Sequence, residues 1–138
     1  ERHWGVGCVE FTDRFATDLF MLGNLIFFYF IDVSISLATC YKAQGAYANY
    51  DAGTYQNAHP YLLKAFDEIL IDLGAELDKK CPELKNEVVE LARELCHPDP
   101  AKRGAPGMHD KQLKYSMQRY ISKFDRLAFR SRGPVNVR

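Results

Sequence analysis

Apolar residues recur at three- and four-residue steps in three separate stretches of this chain. Between Pro60 and Asp78 they are Leu62, Leu63, Phe66, Ile69, Leu70 and Leu73. Between Pro82 and Pro98 they are Leu84, Val88, Leu91, Ala92 and Leu95, and after Asp110 they are Leu113, Met117, Tyr120, Ile121, Phe124 and Leu127. Because this spacing puts apolar side chains on one face of an α-helix, the pattern predicts three amphipathic helices.

Proline and glycine set the expected ends of these helices. Pro60 fits the first turn of the first helix, where no backbone N–H is needed, and Pro82 opens the second in the same way. Pro98 stops the second helix, since proline cannot continue it. The third helix is expected to start near Asp110 and to end at Gly133.

The most apolar run, from Leu19 to Ile31, has no such polar face. Its thirteen residues carry no charge, and Asp18 and Asp32 bound it. We expect a helix that starts near Phe15 and ends at about Phe30. A membrane span needs about 20 residues, so a shorter helix that is apolar all round is expected to be a buried core helix.

The stretch between this run and Pro60 is less regular. Val33 to Tyr41 predicts a second short helix. The following residues, 43–58, are rich in Ala, Gly, Asn and Tyr and are typical of a loop with one helical turn. Its tyrosines Tyr47, Tyr50 and Tyr55 are expected to pack over the domain rather than to do chemistry.

These elements predict an all-α fold of four or five helices, packed around the Leu19–Ile31 run. No segment predicts a strand. We divide the chain into an irregular entry segment, residues 1–10, a helical portion, residues 11–132, and a basic tail, residues 133–138.

Composition supports a folded domain without a global electrostatic field. The chain is 47% hydrophobic and 26% charged, and its formal net charge is zero. The charge is unevenly distributed, because eight Lys or Arg and two Asp lie from Asp110 to the end. Arg119, Arg126 and Arg130 of the last helix are therefore candidate partner-binding residues. The alternative is a solvated helix face followed by a frayed tail, and nucleic acid is not expected as a partner because no basic stretch is interleaved with aromatic residues.

The four cysteines and four histidines show no metal-binding spacing. Cys8, Cys40, Cys81 and Cys96 form no C-x-x-C pair, and the histidines do not complete a zinc pattern. We expect no metal site and free thiols in a cytoplasmic setting, although an even number of cysteines leaves disulfides open. The first residues contain no apolar signal-peptide region.

Two segments together resemble the large lobe of a protein kinase. The first, Thr17 to Gly23 (TDLFMLG), is similar to the D-x-W-S-x-G opening of the central helix of that lobe, with Phe20 and Met21 where the family prefers Trp and Ser. The second, Leu91 to Arg103 (LARELCHPDPAKR), is similar to a helix ending in L-x-x-x-L followed by a D-P-x-x-R turn. The resemblance covers roughly residues 10–125. It implies the C-terminal helical half of a Ser/Thr-type protein kinase or pseudokinase.

The resemblance also implies a role for four residues. Asp18 would accept hydrogen bonds from the backbone of the catalytic loop, although on the residue alone a plain helix cap is as good an explanation. Gly23 costs about 1 kcal/mol relative to Ala inside a helix, and close approach of another backbone is the usual reason. Arg103 would form a buried ion pair with the glutamate of an A-P-E motif. That triplet is absent; Glu10 is the best candidate for its glutamate, and Glu1 is the other candidate.

Kinase chemistry itself is not expected from this chain alone. Phosphoryl transfer needs a Gly-rich phosphate loop, a strand lysine, an H-R-D-type base and a D-F-G-type metal ligand, and none occurs in the sequence. The resemblance therefore implies ATP and Mg²⁺ only for a complete parent kinase. The expected partners are the remainder of a kinase domain and a protein substrate, with no role for a membrane.

A stand-alone helical protein-interaction module is the alternative. The basic last helix and the tyrosine-rich loop favour it. Under the kinase resemblance, a fragment that normally packs on the rest of a kinase should expose apolar surface, so we expect the isolated chain to dimerise or aggregate.

Overall fold

The computed structural model describes residues 14–43 and 55–133. These residues form five helices of eight or more residues: α1 (Arg14–Ile31), α2 (Ile35–Lys42), α3 (Tyr55–Lys80), α4 (Lys85–Cys96) and α5 (Met117–Ser131). Three shorter turns connect them: Pro82–Leu84, Pro100–Lys102 and the one-turn helix Lys111–Lys114. No strand occurs in this described part, and the predicted all-α class is confirmed. The entry segment, most of the tyrosine-rich stretch and residues 134–138 lie outside it.

The stripes predicted for α3 and α4 form the centre of the core. Leu62, Phe66, Ile69, Leu70 and Leu73 of α3 are buried, as are all five predicted apolar positions of the Pro82–Pro98 segment. One side of α1 packs against both helices. The buried side of α1 consists of Ala16, Leu19, Gly23, Ile26 and Phe27.

The start of α3 differs from the prediction. Pro60 lies inside the helix, because Tyr55–Lys80 already begins five residues earlier. A proline at this depth removes one backbone hydrogen bond of the second turn. The core contacts offset the loss, since Ala58 and Leu62 on either side of Pro60 are both buried.

The single helix expected after Asp110 is two separate helices, so that prediction was wrong. The Asp110 carboxylate accepts hydrogen bonds from the N–H groups of Gln112 (2.8 Å) and Leu113 (3.2 Å), which caps only the turn Lys111–Lys114. The chain then breaks, and the Ser116 hydroxyl accepts the N–H of Arg119 at 3.3 Å to start α5. Each capping side chain satisfies backbone N–H groups that a helix start leaves open.

The break changes which apolar residues are buried. Tyr120 and Leu127 of α5 are buried and Phe124 packs against the core. The predicted face also included Leu113, Met117 and Ile121, which are exposed. The prediction of one continuous stripe across residues 113–127 was therefore wrong, because the turn ends at Lys114 and α5 starts anew at Met117.

The expectation of an all-round buried α1 was also wrong. Met21 and Leu25 are each 60% exposed, Phe28 is 49% exposed and Tyr29 is 79% exposed. The helix therefore has one face in the core and one apolar face toward solvent. By length and composition α1 is long and apolar enough to cross a membrane, a test that core helices of soluble proteins also pass.

Candidate functional site

The guanidinium of Arg103 is the most deeply buried charge in the described part of the chain. Arg103 is 1% exposed. Its Nε donates to the carbonyl oxygen of His97 at 2.8 Å, and its Nη1 donates to the carbonyl oxygen of Ala16 in α1 at 3.2 Å. The guanidinium also lies over the ring of Phe20, 4.7 Å from the ring centre. One side chain thus ties the turn after α4 to the first turns of α1.

The local sequence of the turn directs Arg103 inward. The Asp99 carboxylate accepts the N–H of Ala101 at 3.0 Å, and the Arg103 N–H donates to the Pro100 carbonyl at 3.2 Å. Gly104 then adopts a φ of 91°, and its N–H donates to the Glu94 carbonyl at 2.9 Å. This left-handed conformation favours glycine, and a Cβ there would also collide with the Lys114 carbonyl.

The imidazole of His97 lies under the same turn. Its Nδ1 accepts the N–H of Asp99 at 3.0 Å, and its ring meets the edge of Phe66 with 5.9 Å between ring centres. Burial lowers the pKa of His97, and the charges of Lys102 and Arg103 act in the same direction. A protonated Nδ1 could not accept the Asp99 N–H, so the fold holds the neutral imidazole.

We expect stability to fall as the pH drops below the ordinary His pKa of about 6.5. The unfolded chain then binds a proton that folded His97 refuses, so this contribution is complete above that pKa and is lost as the pH falls toward the lowered folded pKa. Urea denaturation at a series of pH values measures the slope.

His97→Gln should flatten this slope, because an amide oxygen can still accept the Asp99 N–H without titrating. His109→Gln is the matched control, since His109 is exposed. An unchanged slope in His97→Gln would exclude His97 as its source.

Gly23 lies where α1 and α4 approach most closely. A Cβ at Gly23 would lie 2.7 Å from the Leu95 Cβ and closer still to the Cys96 sulfur. The expected close approach is therefore present, and α4 provides it. The Cys96 thiol is 1% exposed and donates to the Phe20 carbonyl at 3.6 Å. Burial raises the pKa of Cys96 to about 12, so the group remains an unreactive thiol.

Asp18 and Glu10 stand apart from this cluster. Asp18 lies in the second turn of α1 and its side chain is exposed, so it does not cap the helix that the structure describes. Glu10, the candidate partner of Arg103, lies outside the described residues. Of the four kinase-motif residues, Gly23 and Arg103 are linked only indirectly: Gly23 lies against Cys96, whose thiol donates to the Phe20 carbonyl, and Arg103 lies over the Phe20 ring.

Sequence reasoning missed three contributors to the site: Phe20, His97 and the Ala16 carbonyl. Phe20 could have been found from the sequence, because it occupies the position where the kinase family prefers Trp. Both aromatic rings can pack against a cation. His97 carried a weaker signal, since it directly precedes the D-P-x-x-R turn. A backbone carbonyl such as that of Ala16 has no sequence signal.

The three candidate partner-binding arginines all form ion pairs with α4. Arg119 Nη1 lies 2.9 Å from Glu94 Oε2, and Arg126 Nη2 lies 3.3 Å from Glu87 Oε2. Arg130 pairs with the same Glu87. These ion pairs hold α5 against α4, and two carboxylates balance part of the charge of the three arginines.

Glu94 is the centre of the stronger of these pairs. It also accepts the hydroxyl of buried Tyr120 at 3.0 Å and lies 3.4 Å from the Lys123 ammonium. Burial acts to raise the pKa of Glu94, but the hydrogen bond from Arg119 and the charge of Lys123 outweigh it, and the pKa is lowered. Burial and the nearby Glu94 charge raise the pKa of Tyr120. The cluster is thus a structural ion-pair network.

Within residues 14–43 and 55–133, no group of three or more His, Cys, Asp or Glu side chains could hold a metal ion. Cys81 and Cys96 are free thiols. The site around Arg103 therefore offers a positioned cation and a closely packed helix pair rather than a nucleophile or a metal ligand set.

Comparison of the chain with protein-family models, with curated proteins and with solved structures found no match.

Proposed function

We propose that this chain is the C-terminal helical portion of a protein-kinase-like phosphotransferase, of Ser/Thr type or a pseudokinase. In the longer protein it supports the catalytic loop and helps to dock a protein substrate. ATP and Mg²⁺ are bound by other segments, since the 138 residues hold none of the required motifs. The parent acts in the cytoplasm, where thiols such as those of Cys81 and Cys96 remain reduced.

A contact between the two kinase-like motifs carries this proposal. Phe20 of the first motif stacks on Arg103 of the second, and Gly23 of the first packs on Leu95 and Cys96 at the helix end of the second. The two motifs lie far apart in sequence, at residues 17–23 and 91–103. Two unrelated chance matches on a helical background have no reason to meet side chain to side chain.

The buried guanidinium supports the same proposal. Arg103 is drawn inward by the D-P-x-x-R turn and is enclosed, as the kinase pattern requires of this residue. We propose Glu10 as its acidic partner, in the place of the A-P-E glutamate. An ion pair of this kind would anchor the segment preceding α1 to the turn that follows α4.

The exposed carboxylate of Asp18 fits a partner that belongs to another segment. It lies on α1 at the position that the kinase pattern assigns to the aspartate beneath the catalytic loop. In the proposed parent, backbone N–H groups of that loop would donate to Asp18 and so fix the loop on α1.

The test uses the longest native reading frame that contains this chain. The expressed protein should bind Mg²⁺–ATP, and an active kinase should transfer the γ-phosphoryl group from radiolabelled ATP to a generic acceptor protein. Asp18→Asn should lower phosphoryl transfer at least tenfold, or lower ATP affinity in a pseudokinase. Arg93→Gln, on an exposed helix surface, is the matched control.

Two results would overturn the proposal. One is a native reading frame that starts near Glu1, with no partner chain that supplies a base and metal ligands. The other is a longer protein in which neither ATP binding nor phosphoryl transfer responds to Asp18→Asn.

A further inference from the structure

Six exposed residues follow one another at alternating four- and three-residue steps: five lie on the outward face of α1, and Asp32 lies directly after its end with a φ of 61°. They are Arg14, Asp18, Met21, Leu25, Phe28 and Asp32, and we call them the outer seam. This is the spacing of the a and d positions of a coiled coil, which keeps a narrow stripe in line with a second helix. The outer seam is thus a ready-made helix-pairing surface.

The middle of the outer seam is apolar and open to solvent. Met21 and Leu25 are 60% exposed and Phe28 is 49% exposed. Tyr29, 79% exposed, extends the same apolar area to one side. A contiguous exposed apolar stripe of this kind marks an interaction site.

The ends of the outer seam carry opposite charges. Arg14 stands at its start, and Asp32, whose N–H donates to the Phe28 carbonyl at 3.1 Å, stands just beyond the helix end. Within the described part of the chain, neither side chain takes part in an ion pair. The outer seam is therefore symmetric about position 23. Its middle is apolar, and the oppositely charged Arg14 and Asp32 lie at equal distances on either side.

We propose that the 138-residue chain forms a symmetric antiparallel dimer through the outer seam. Antiparallel pairing about position 23 places Met21 of each copy against Leu25 of the other. The same register places Arg14 of each copy against Asp32 of the other, and Asp18 beside Phe28. In this register every a position of one copy faces a d position of the other, which is the arrangement of two antiparallel helices.

Charge selects this orientation over the parallel one. Parallel pairing would set Arg14 against Arg14, Asp18 against Asp18 and Asp32 against Asp32. Like charges in direct opposition are unfavourable, whereas the antiparallel register forms two Arg–Asp pairs. Arg14 also lies four residues before Asp18 on the same helix. Its guanidinium can therefore interact with two carboxylates, that of Asp18 in the same copy and that of Asp32 in the other.

A two-fold axis makes the interface closed. Both copies use the same patch, so association stops at the dimer rather than continuing into a filament. This dimer is independent of the proposed function. It concerns the 138-residue chain with α1 uncovered, and the kinase test uses the longer reading frame, so the failure of one leaves the other standing.

The first test measures the dimer dissociation constant by sedimentation equilibrium. The wild-type chain should dimerise at micromolar concentrations, and the double variant Met21→Glu/Leu25→Glu should weaken association by about 30-fold or more, because both central contacts are lost. Phe129→Glu is the control, since Phe129 is an apolar residue on α5 that is 78% exposed, more than Met21 or Leu25. Circular dichroism checks that all variants keep the same helix content.

The second test reads the register. Arg14→Glu alone sets a carboxylate against Asp32 of the other copy and should weaken the dimer roughly 5–10-fold. Asp32→Arg alone should weaken it for the converse reason. The combined swap, Arg14→Glu/Asp32→Arg, should restore the wild-type dissociation constant to within about twofold, because opposite charges face each other again.

Four results would overturn the proposal. One is a wild-type chain that stays monomeric at high micromolar concentration. A second is a Phe129→Glu variant that loses association as strongly as the seam variant, and a third is a double swap that rescues nothing. The fourth is a monomeric wild type that binds neutral phosphatidylcholine vesicles through Met21 and Leu25, which would assign the seam to a lipid surface instead.

Discussion

Arg103→Ala is expected to lower the free energy of unfolding by about 3–5 kcal/mol. The substitution removes a guanidinium that is 1% exposed, together with its hydrogen bonds to the carbonyls of His97 and Ala16. It also leaves a cavity beneath the Phe20 ring, where methylenes and cation now pack. Urea denaturation followed by circular dichroism measures the loss.

Three further variants separate the contributions to this effect. Arg103→Lys keeps the charge but cannot reach both carbonyls with one ammonium group, so it should fall between wild type and Arg103→Ala. Arg93→Ala removes an exposed arginine paired with Asp67 at 3.4 Å and should cost no more than about 1 kcal/mol. If Glu10 is the acidic partner, Glu10→Ala/Arg103→Ala should be scarcely less stable than Arg103→Ala alone, because the pair is already broken.

A loss below about 1 kcal/mol for Arg103→Ala would contradict this account of the site. It would mean that the guanidinium can be replaced by water or by a shift of the turn. The proposed kinase-like role would then be weakened, because it assigns Arg103 as an anchor.

Local sequence predicted the two helices whose stripes face the core. In α3 and α4 the apolar residues are separated by charged or polar ones, so only one face can be buried and periodicity identifies it. Pro82 and Pro98, before and after α4, also predicted where this helical segment begins and ends, because the effect of proline on the backbone does not depend on tertiary context. The helix start predicted from Pro60 was wrong, because a proline can also lie beyond the first turn when packing offsets the lost hydrogen bond.

The orientation of α1 could not be predicted in this way. Its apolar residues surround the whole helix, so hydrophobic periodicity does not distinguish the buried face from the outer seam. The face that packs is the one with Gly23, because only there can α4 approach closely. A small residue indicates which face of a helix packs closely against a neighbour. It does not increase the hydrophobic periodicity from which a buried face is predicted.

The candidate site was predicted in part, because its two sequence signals are local and its contacts are not. Gly23 and the D-P-x-x-R turn stand out within their own segments. The hydrogen bond from Arg103 to Ala16 joins residues 87 positions apart, and the pairing of Arg126 and Arg130 with Glu87 depends on the packing of α5 on α4. Spacing rules on one helix could therefore describe these arginines only as a basic face.

Gly23→Ala is expected to lower the free energy of unfolding by about 1–2 kcal/mol, although helix propensity alone would raise it by about 1 kcal/mol. The added methyl would collide with the Cys96 sulfur and lie 2.7 Å from the Leu95 Cβ. Both atoms belong to buried side chains near the backbone of α4, so relief requires the two helices to separate. Chemical denaturation, with the slope checked for two-state behaviour, measures the change.

Gly74→Ala is the matched control with the opposite expected sign. A Cβ at Gly74 in α3 would lie 3.2 Å from the Cε of Lys85, a flexible side chain that can move, and 3.9 Å from the Cγ2 of Val89, an ordinary van der Waals contact. The propensity gain should therefore prevail and stabilise the protein by about 0.5–1 kcal/mol. Because both substitutions add one methyl group to a helix, a difference in sign isolates the effect of close helix packing. Equal stabilisation by both would show that α1 and α4 can separate at no cost, and that Gly23 is not the reason for their approach.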